Sequence, residues 1–179
     1  MFTERSKGDQ YMQPSAIVYT SETGHTERYA KMLSEKLGIP YYNINEAKKS
    51  LKSGTPIIYM GWICASNVKG YGSVRKKYKI AAVVAVGLCD TGTLLEEVRQ
   101  AIKLHLNIPL FTVQGGMDLD KLRGINKFMI KCITSMVDKA PEKTESDLRM
   151  LSLLKNGGDY VSEENLSSII RWAESRNDS

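Results

Sequence analysis

The sequence predicts an α/β protein built on one parallel sheet of five strands, with helical segments between successive strands. Two observations carry that prediction: short, continuous apolar runs recur along the first two thirds of the chain, and stretches of helical spacing separate them. A strand buried on both faces reads as an unbroken apolar run rather than an alternating one. Strand–helix–strand succession joins parallel neighbours by right-handed crossovers and lays helices on both faces. A third observation sets the scale, since 179 residues suffice for one compact domain with a real core and not for two large ones.

The first strand is Ala16-Ile17-Val18-Tyr19. Ala30, Leu33 and Leu37 recur at three and four and mark the helix after it, with Gly38 placed to close that helix. Residues 39–44 form a second strand, and residues 46–51 a short helix before a turn at Gly54. A third apolar run spans residues 55–61. Residues 80–88 (IAAVVAVGL) are the strongest strand signal in the chain. Leu94, Val98, Ala101, Ile102 and His105 then mark an amphipathic helix, and residues 108–113 a fifth strand.

The last third is helical in pattern. Leu122, Ile125, Met129, Ile133 and Met136 line one helix face, and a hydrophilic break over residues 138–147 separates them from a further apolar stretch at 148–154. After Gly157-Gly158, Ser162 is placed to cap a final helix carrying Leu166, Ile169, Ile170 and Ala173. Neither side of the break holds a second core, so it reads as a surface loop. The polar residues 1–14 read as a loose arm with no apolar centre for a secretory signal. Residues 15–179 then form a single domain, with 118–160 as an extended helical region that closes it.

Composition narrows the function classes. No stretch reaches the apolar length of a membrane-spanning helix. Cys64, Cys89 and Cys132 are too scattered for a metal spacing or a disulfide framework, which fits a reducing cytoplasm. With His25 and His105 the only histidines, a His-rich metal site is disfavoured. The net charge of +5 is compatible with plain solubility, an acidic partner or an anionic membrane face. Nucleic acid is disfavoured, because the basic residues follow no groove-reading motif and lack interleaved aromatics.

Chemistry concentrates in Ser21-Glu22-Thr23-Gly24-His25-Thr26, between the first strand and the first helix. A helix N-terminus presents unpaired backbone N–H groups and a partial positive charge, and both attract a phosphate. Ser21, Thr23 and Thr26 add hydroxyl donors, and Gly24 lets the backbone approach a phosphate oxygen. The loop lacks the lysine of a nucleoside-triphosphate loop and the glycine spacing of a dinucleotide fingerprint. The bland alternative is an ordinary Ser/Thr-rich capped turn.

Here the chain resembles the flavodoxin family, whose phosphate loop reads Ser/Thr, any residue, Thr, Gly, any residue, Thr. Ser21, Thr23, Gly24 and Thr26 match it position by position, and His25 stands where Asn is usual. The resemblance covers about residues 15–115 and implies a doubly wound sheet of order 2-1-3-4-5 that binds FMN. It also implies that two further loops grip the flavin ring, at the carboxyl ends of the third and fourth strands, as the rule for open α/β sheets requires. The first segment is Gly61-Trp62-Ile63-Cys64-Ala65-Ser66: Gly61 is a candidate carbonyl for flavin N5, and Trp62 either stacks on the ring or packs in the core. The second is Leu88-Cys89-Asp90-Thr91-Gly92-Thr93, without the Tyr that many flavodoxins place there. The Asp90 side chain is expected to cap the helix beginning near Thr91.

Unlike the acidic electron carriers of that family, this chain is basic. Lys121, Arg123, Lys127 and Lys131 accompany Leu122, Ile125, Phe128, Met129 and Ile133 after the fifth strand. Such a helix either turns its lysines to water or lies on an anionic membrane surface. A similar layout occurs in the menaquinone-dependent protoporphyrinogen oxidases of bacteria. The resemblance thus implies an FMN electron carrier or small flavoprotein oxidoreductase working with a redox partner protein or a quinone, with no catalytic side chain required. An oxidase of that type is the alternative, and a flavin-free binding module on the same scaffold is a further one.

Overall fold

A computed structural model describes residues 12–122 and 124–176, apart from the side chains of residues 125, 126, 129 and 146. Its principal sheet is parallel. β1 (Ala16–Thr20), β3 (Pro56–Cys64) and β5 (Lys79–Gly87) form the centre, and β2 (Tyr41–Asn43) and β6 (Leu110–Gln114) the edges. The order is β2-β1-β3-β5-β6. Counted along the five long strands, this is the expected 2-1-3-4-5. The three central strands owe their position to residues that tolerate burial on both faces: Ile17, Ile58, Tyr59, Met60, Val83 and Val84 are all wholly buried.

Alternation along each strand splits those residues between two cores. Val18, Tyr59, Val83 and Ala85 face α2 (Ile44–Ser50), α3 (Tyr71–Val74) and α4 (Leu95–Ala101), packing with Ala47, Tyr71, Val74 and Val98. Ile17, Ile58, Met60 and Val84 face α1 (His25–Leu37) and α7 (Ser167–Glu174), packing with Tyr29, Leu33, Leu166 and Ile169. Gly38 closes α1 in the left-handed conformation, its N–H donating to the Ser34 carbonyl. Ser162 accepts from the Glu164 N–H and caps a 3-10 turn, Glu163–Leu166, that runs directly into α7. The Tyr29 hydroxyl ties α1 to the far end of the chain: it donates to the Gln114 carbonyl and accepts from Asn165 Nδ2 at 2.7 Å.

A smaller unit stands against the carboxyl ends of the strands. β7 (Gly116–Met117) and β8 (Gly158–Asp159) pair antiparallel and bracket α5 (Gly124–Asp138) and α6 (Glu145–Asn156). Thr144 and Asp147 form a capping box at the start of α6. Met117, Leu122 and Leu154 make a satellite core with Ile130, Ile133 and Met150 around it. The unit runs from residue 116 to residue 159 and is entered and left through the two short strands.

Several expectations need correction. The third strand does not stop at Gly61 but continues to Cys64 and turns back through β4 (Asn67–Val68). The second strand and the helix after it begin at Tyr41 and Ile44 rather than at 39 and 46. The helix expected to reach His105 ends at Ala101, because Lys103 adopts a positive φ of 51° and folds the chain back. Of the N-terminal arm, residues 1–11 lie outside the described residues, as does Arg123; Gln13 is held, its side-chain amide donating to the Arg176 carbonyl at 2.5 Å.

Candidate functional site

The strand order reverses between β1 and β3, since β2 lies to one side of β1 and all later strands to the other. In an open parallel sheet the crevice beyond the carboxyl ends of such strands is where ligands bind. A cavity of about 450 Å³ occupies that crevice. Three turns of the body and the satellite unit build its wall. Ser21, Glu22, Thr23, His25 and Thr26 come from the turn after β1 and the start of α1; Trp62, Ile63, Cys64, Ala65 and Ser66 from the end of β3 and its turn; Val86, Gly87, Leu88, Cys89 and Leu94 from the end of β5 and the chain beyond it. Met117, Leu122, Ile130, Ile133, Met136, Met150 and Leu154 close it from the satellite side.

The first turn places a helix N-terminus at the polar end of this cavity. Gly24 has a φ of 97°, a conformation that costs glycine little and other residues more, and open space lies where a Cβ would stand. The first intrahelical bond runs from the Arg28 N–H to the Gly24 carbonyl at 3.0 Å, so the N–H groups of His25, Thr26 and Glu27 have no acceptor within the helix. No side chain caps α1, whereas α2 and α6 each carry a complete capping box. Ser21 Oγ accepts from the Gly24 N–H at 3.1 Å and tightens the loop below.

His25 is buried, 9% exposed, with Nδ1 2.9 Å from Thr23 Oγ1 and Nε2 4.0 Å from Asp159 Oδ1. Asp159 is in turn bonded to Arg28. Burial holds the His25 imidazole below its ordinary pKa, against the opposing pull of Asp159. On its other side the same turn borders an open polar cleft of about 740 Å³, where Gly24, Arg28, Lys31, Lys121 and Asp159 lie together.

The second turn is strained. Ala65 and Ser66 link the antiparallel pair Cys64–Asn67 and both have positive φ, 48° and 59°. That is the backbone of a tight two-residue hairpin usually made by Asn and Gly. It thrusts Trp62, Ile63 and Cys64 toward the cavity, with the Lys69 ammonium 5.5 Å from the Trp62 ring centre. Trp62 is thus a cavity residue rather than a member of either main core.

Gly61 stands elsewhere. It pairs with Thr20 and Ala85 within the sheet, and a Cβ there would fall 2.6 Å from the Lys69 carbonyl oxygen. Its glycine character serves the passage of the β4 return over β3, and it does not line the cavity.

Beyond β5, Leu88 and Cys89 of the expected segment line the cavity, and Asp90, Thr91, Gly92 and Thr93 do not. Burial, with Asp90 and Asp147 nearby, pushes the Cys89 thiol above the usual range. Asp90 does not cap a helix: α4 begins at Leu95, and the Asp90 carboxylate accepts from Arg149 of α6 at 2.8 Å. Thr91 Oγ1 donates to Asn165 Oδ1 at 2.8 Å and accepts from the Gln114 N–H. The Gly92 N–H donates to the Thr112 carbonyl. All three secure the turn from behind. Sequence reasoning missed the satellite wall and Val86, Gly87 and Leu94; the apolar spacing of Leu122, Ile133 and Met136 was its signal, but the pattern does not say which space such a helix faces.

No described helix is long and apolar enough to cross a membrane. Among the described residues, no three His, Cys, Asp or Glu side chains converge as for a metal ion. Comparison with known families gives a match to the Flavodoxin domain over residues 16–145. No curated protein matches the chain.

Proposed function

The chain belongs to the Flavodoxin domain family, and from that premise we propose that it binds FMN and transfers electrons through it. The observation that carries the reading is the apolar cavity at the strand-order reversal, opening at one end onto an uncapped helix N-terminus. Such a site fits a ligand with a flat apolar ring at one end and a phosphate monoester at the other. Its volume lies within the range of roughly 300–1,000 Å³ typical of small-ligand pockets.

In this reading the N–H groups of His25, Thr26 and Glu27 hold the phosphate together with the Thr23 and Thr26 hydroxyls. Trp62, Ile63 and Cys64 bound one side of the ring, and Leu88 and Cys89 another. Bound there, the flavin would supply one- and two-electron chemistry. Met117, Ile130, Ile133 and Met150 exclude water from that chemistry. The Cys89 thiol stays neutral at physiological pH and adds no charge beside the ring.

The test is the absorption spectrum and affinity of the protein titrated with FMN and, separately, with riboflavin. FMN is expected to bind at least about 100-fold more tightly, the size expected for two charge-assisted hydrogen bonds of about 1.5–3 kcal/mol each. Equal affinity for the two would remove the phosphate loop from the proposal, and no uptake of either would leave a flavin-free module.

One observation supports a second reading, an oxidase-like enzyme that passes electrons directly to a lipophilic acceptor such as a quinone. Met136 lines the cavity and is also 73% exposed, so the apolar interior reaches the surface of α5. Phe128, 69% exposed, stands on the same helix beside exposed Lys127 and Lys131, a pattern suited to an anionic membrane surface. Steady turnover with a soluble quinone and no protein partner distinguishes this enzyme from a carrier.

A further inference from the structure

His25 occupies the loop position where the family pattern usually has Asn, and its surroundings give that difference a chemical meaning. The ring is wedged between the start of α1 and the backbone of β7: a Cβ on Gly116 would fall 2.6 Å from Nε2. Both ring nitrogens therefore have fixed neighbours, Thr23 Oγ1 at Nδ1 and the Asp159 carboxylate at Nε2. At 4.0 Å the Asp159 carboxylate stands beyond hydrogen-bond reach of Nε2, but its negative charge favours the proton of the neutral ring on the side that faces it. Nδ1 is then an acceptor, and the Thr23 hydroxyl donates to it.

A phosphate only accepts hydrogen bonds. For Thr23 to donate to a phosphate at the start of α1, its hydroxyl must turn away from the ring. Nδ1 and Thr23 Oγ1 would then face each other with lone pairs only, unless Nδ1 gains a proton. A doubly protonated ring satisfies every group in the row: Nε2–H toward Asp159, Nδ1–H to Thr23 Oγ1, and the Thr23 O–H to phosphate.

We propose that His25 is a proton-coupled positioning residue for the ligand's phosphate: phosphate binding reverses the Thr23–His25 hydrogen bond and draws one proton from solvent onto the imidazole. The proposal rests on the phosphate-site reading above. The charges facing the ring fit a switch of this kind. Asp159 of β8 and Asp118 after β7 favour the charged ring; burial, Arg28 of α1 and Lys121 oppose it and keep it neutral before a ligand arrives. A phosphate at the helix N-terminus adds negative charge and tips that balance. The sign follows: the bound state has the higher midpoint, so between the free and bound midpoints affinity falls as pH rises.

The chain has two histidines, so the ring proton resonances of His25 are identified by their loss in His25→Asn. The experiment follows the pH midpoint of those resonances in the full chain alone, with FMN, with riboflavin and with inorganic phosphate. FMN and inorganic phosphate are expected to raise it by about one pH unit, a tenfold coupling, and riboflavin to leave it unchanged. FMN affinity of the native chain, divided by that of His25→Asn, is expected to rise several-fold from pH 8 to pH 6, toward a limit of about tenfold at lower pH, a ratio that cancels the titration of the phosphate itself. Asp159→Asn should lower the His25 midpoint of both the free and the bound chain while leaving His25 in place. A His25 midpoint that stays put on FMN binding, or a flat affinity ratio, overturns the proposal while leaving the FMN reading intact. If FMN does not bind, that reading fails, and the inorganic phosphate arm decides this one: an unmoved midpoint sinks it and a raised midpoint upholds it.

Discussion

The five-stranded body and the β7–α5–α6–β8 unit both bury apolar side chains, to different depths. In the body Ile17, Ile58, Met60 and Val84 have no exposed surface, and helices cover both faces of the sheet. In the satellite unit Met117, Leu122 and Leu154 are buried, but Ile130, Ile133 and Met150 are only half covered, and Phe128, Met136 and Leu148 face outward. Its ties to the rest include the ion pairs Arg28 to Asp159 and Arg149 to Asp90, and Leu88 of the body packs on its core. The proposed phosphate loop is thus held by the rigid part, while one wall of the proposed ring site belongs to the part that opens at lower free energy.

Matched truncations on the two sides should break the comparison if it is wrong. Ile58→Ala, in the body, is expected to lower global stability by about 2–5 kcal/mol, read as a fall in the denaturant midpoint at unchanged slope. Ile133→Ala removes the same atoms from a half-covered site and should cost about 1 kcal/mol or less globally. Its effect should appear instead as faster amide exchange confined to α5 and α6. Equal global losses would mean that the two units unfold as one.

Gly61→Ala tests a smaller feature of the body. The added methyl meets the Lys69 carbonyl and Val68 Cγ1, so the β3–β4 return must shift at a cost of about 1–3 kcal/mol. Because Gly61 lies off the cavity wall, ligand affinity should change far less than it does for a substitution at Trp62. The smallest effect is expected from Arg149→Ala. Both partners of that ion pair are about half exposed, so the loss of global stability should be under about 1 kcal/mol. Exchange in α6 should nevertheless quicken, since this pair links it to the turn beyond β5.

The same contrast explains what could be read from the sequence. The body was legible because its signals are local: unbroken apolar runs at β1, β3 and β5, Gly38 at the end of α1, and a phosphate-loop pattern at the β1–α1 junction. Elements too short for any period were not. β4, β7 and β8 are two residues each and exist through pairing with distant partners. Asp90 looked like a cap because Asp before a helix usually is one; its partner Arg149 is 59 positions away. The stop at Lys103 escaped notice because a lysine, not a glycine, takes the left-handed conformation there. His25 was legible as a departure from a pattern, but its link to Asp159 depends on how α6 returns to the body.

The Tyr29 hydroxyl has a consequence for where this protein can be cut. The family match ends at residue 145, yet Tyr29, inside the matched part, finds Asn165 and the Tyr160 carbonyl only beyond it. Leu166 and Ile169, also beyond it, cover the inner face of α1 and the sheet. An expression clone trimmed to the matched residues would bare an apolar sheet face and leave the Tyr29 hydroxyl only its bond to the Gln114 carbonyl. The unit of recognition between relatives is here shorter than the unit that folds.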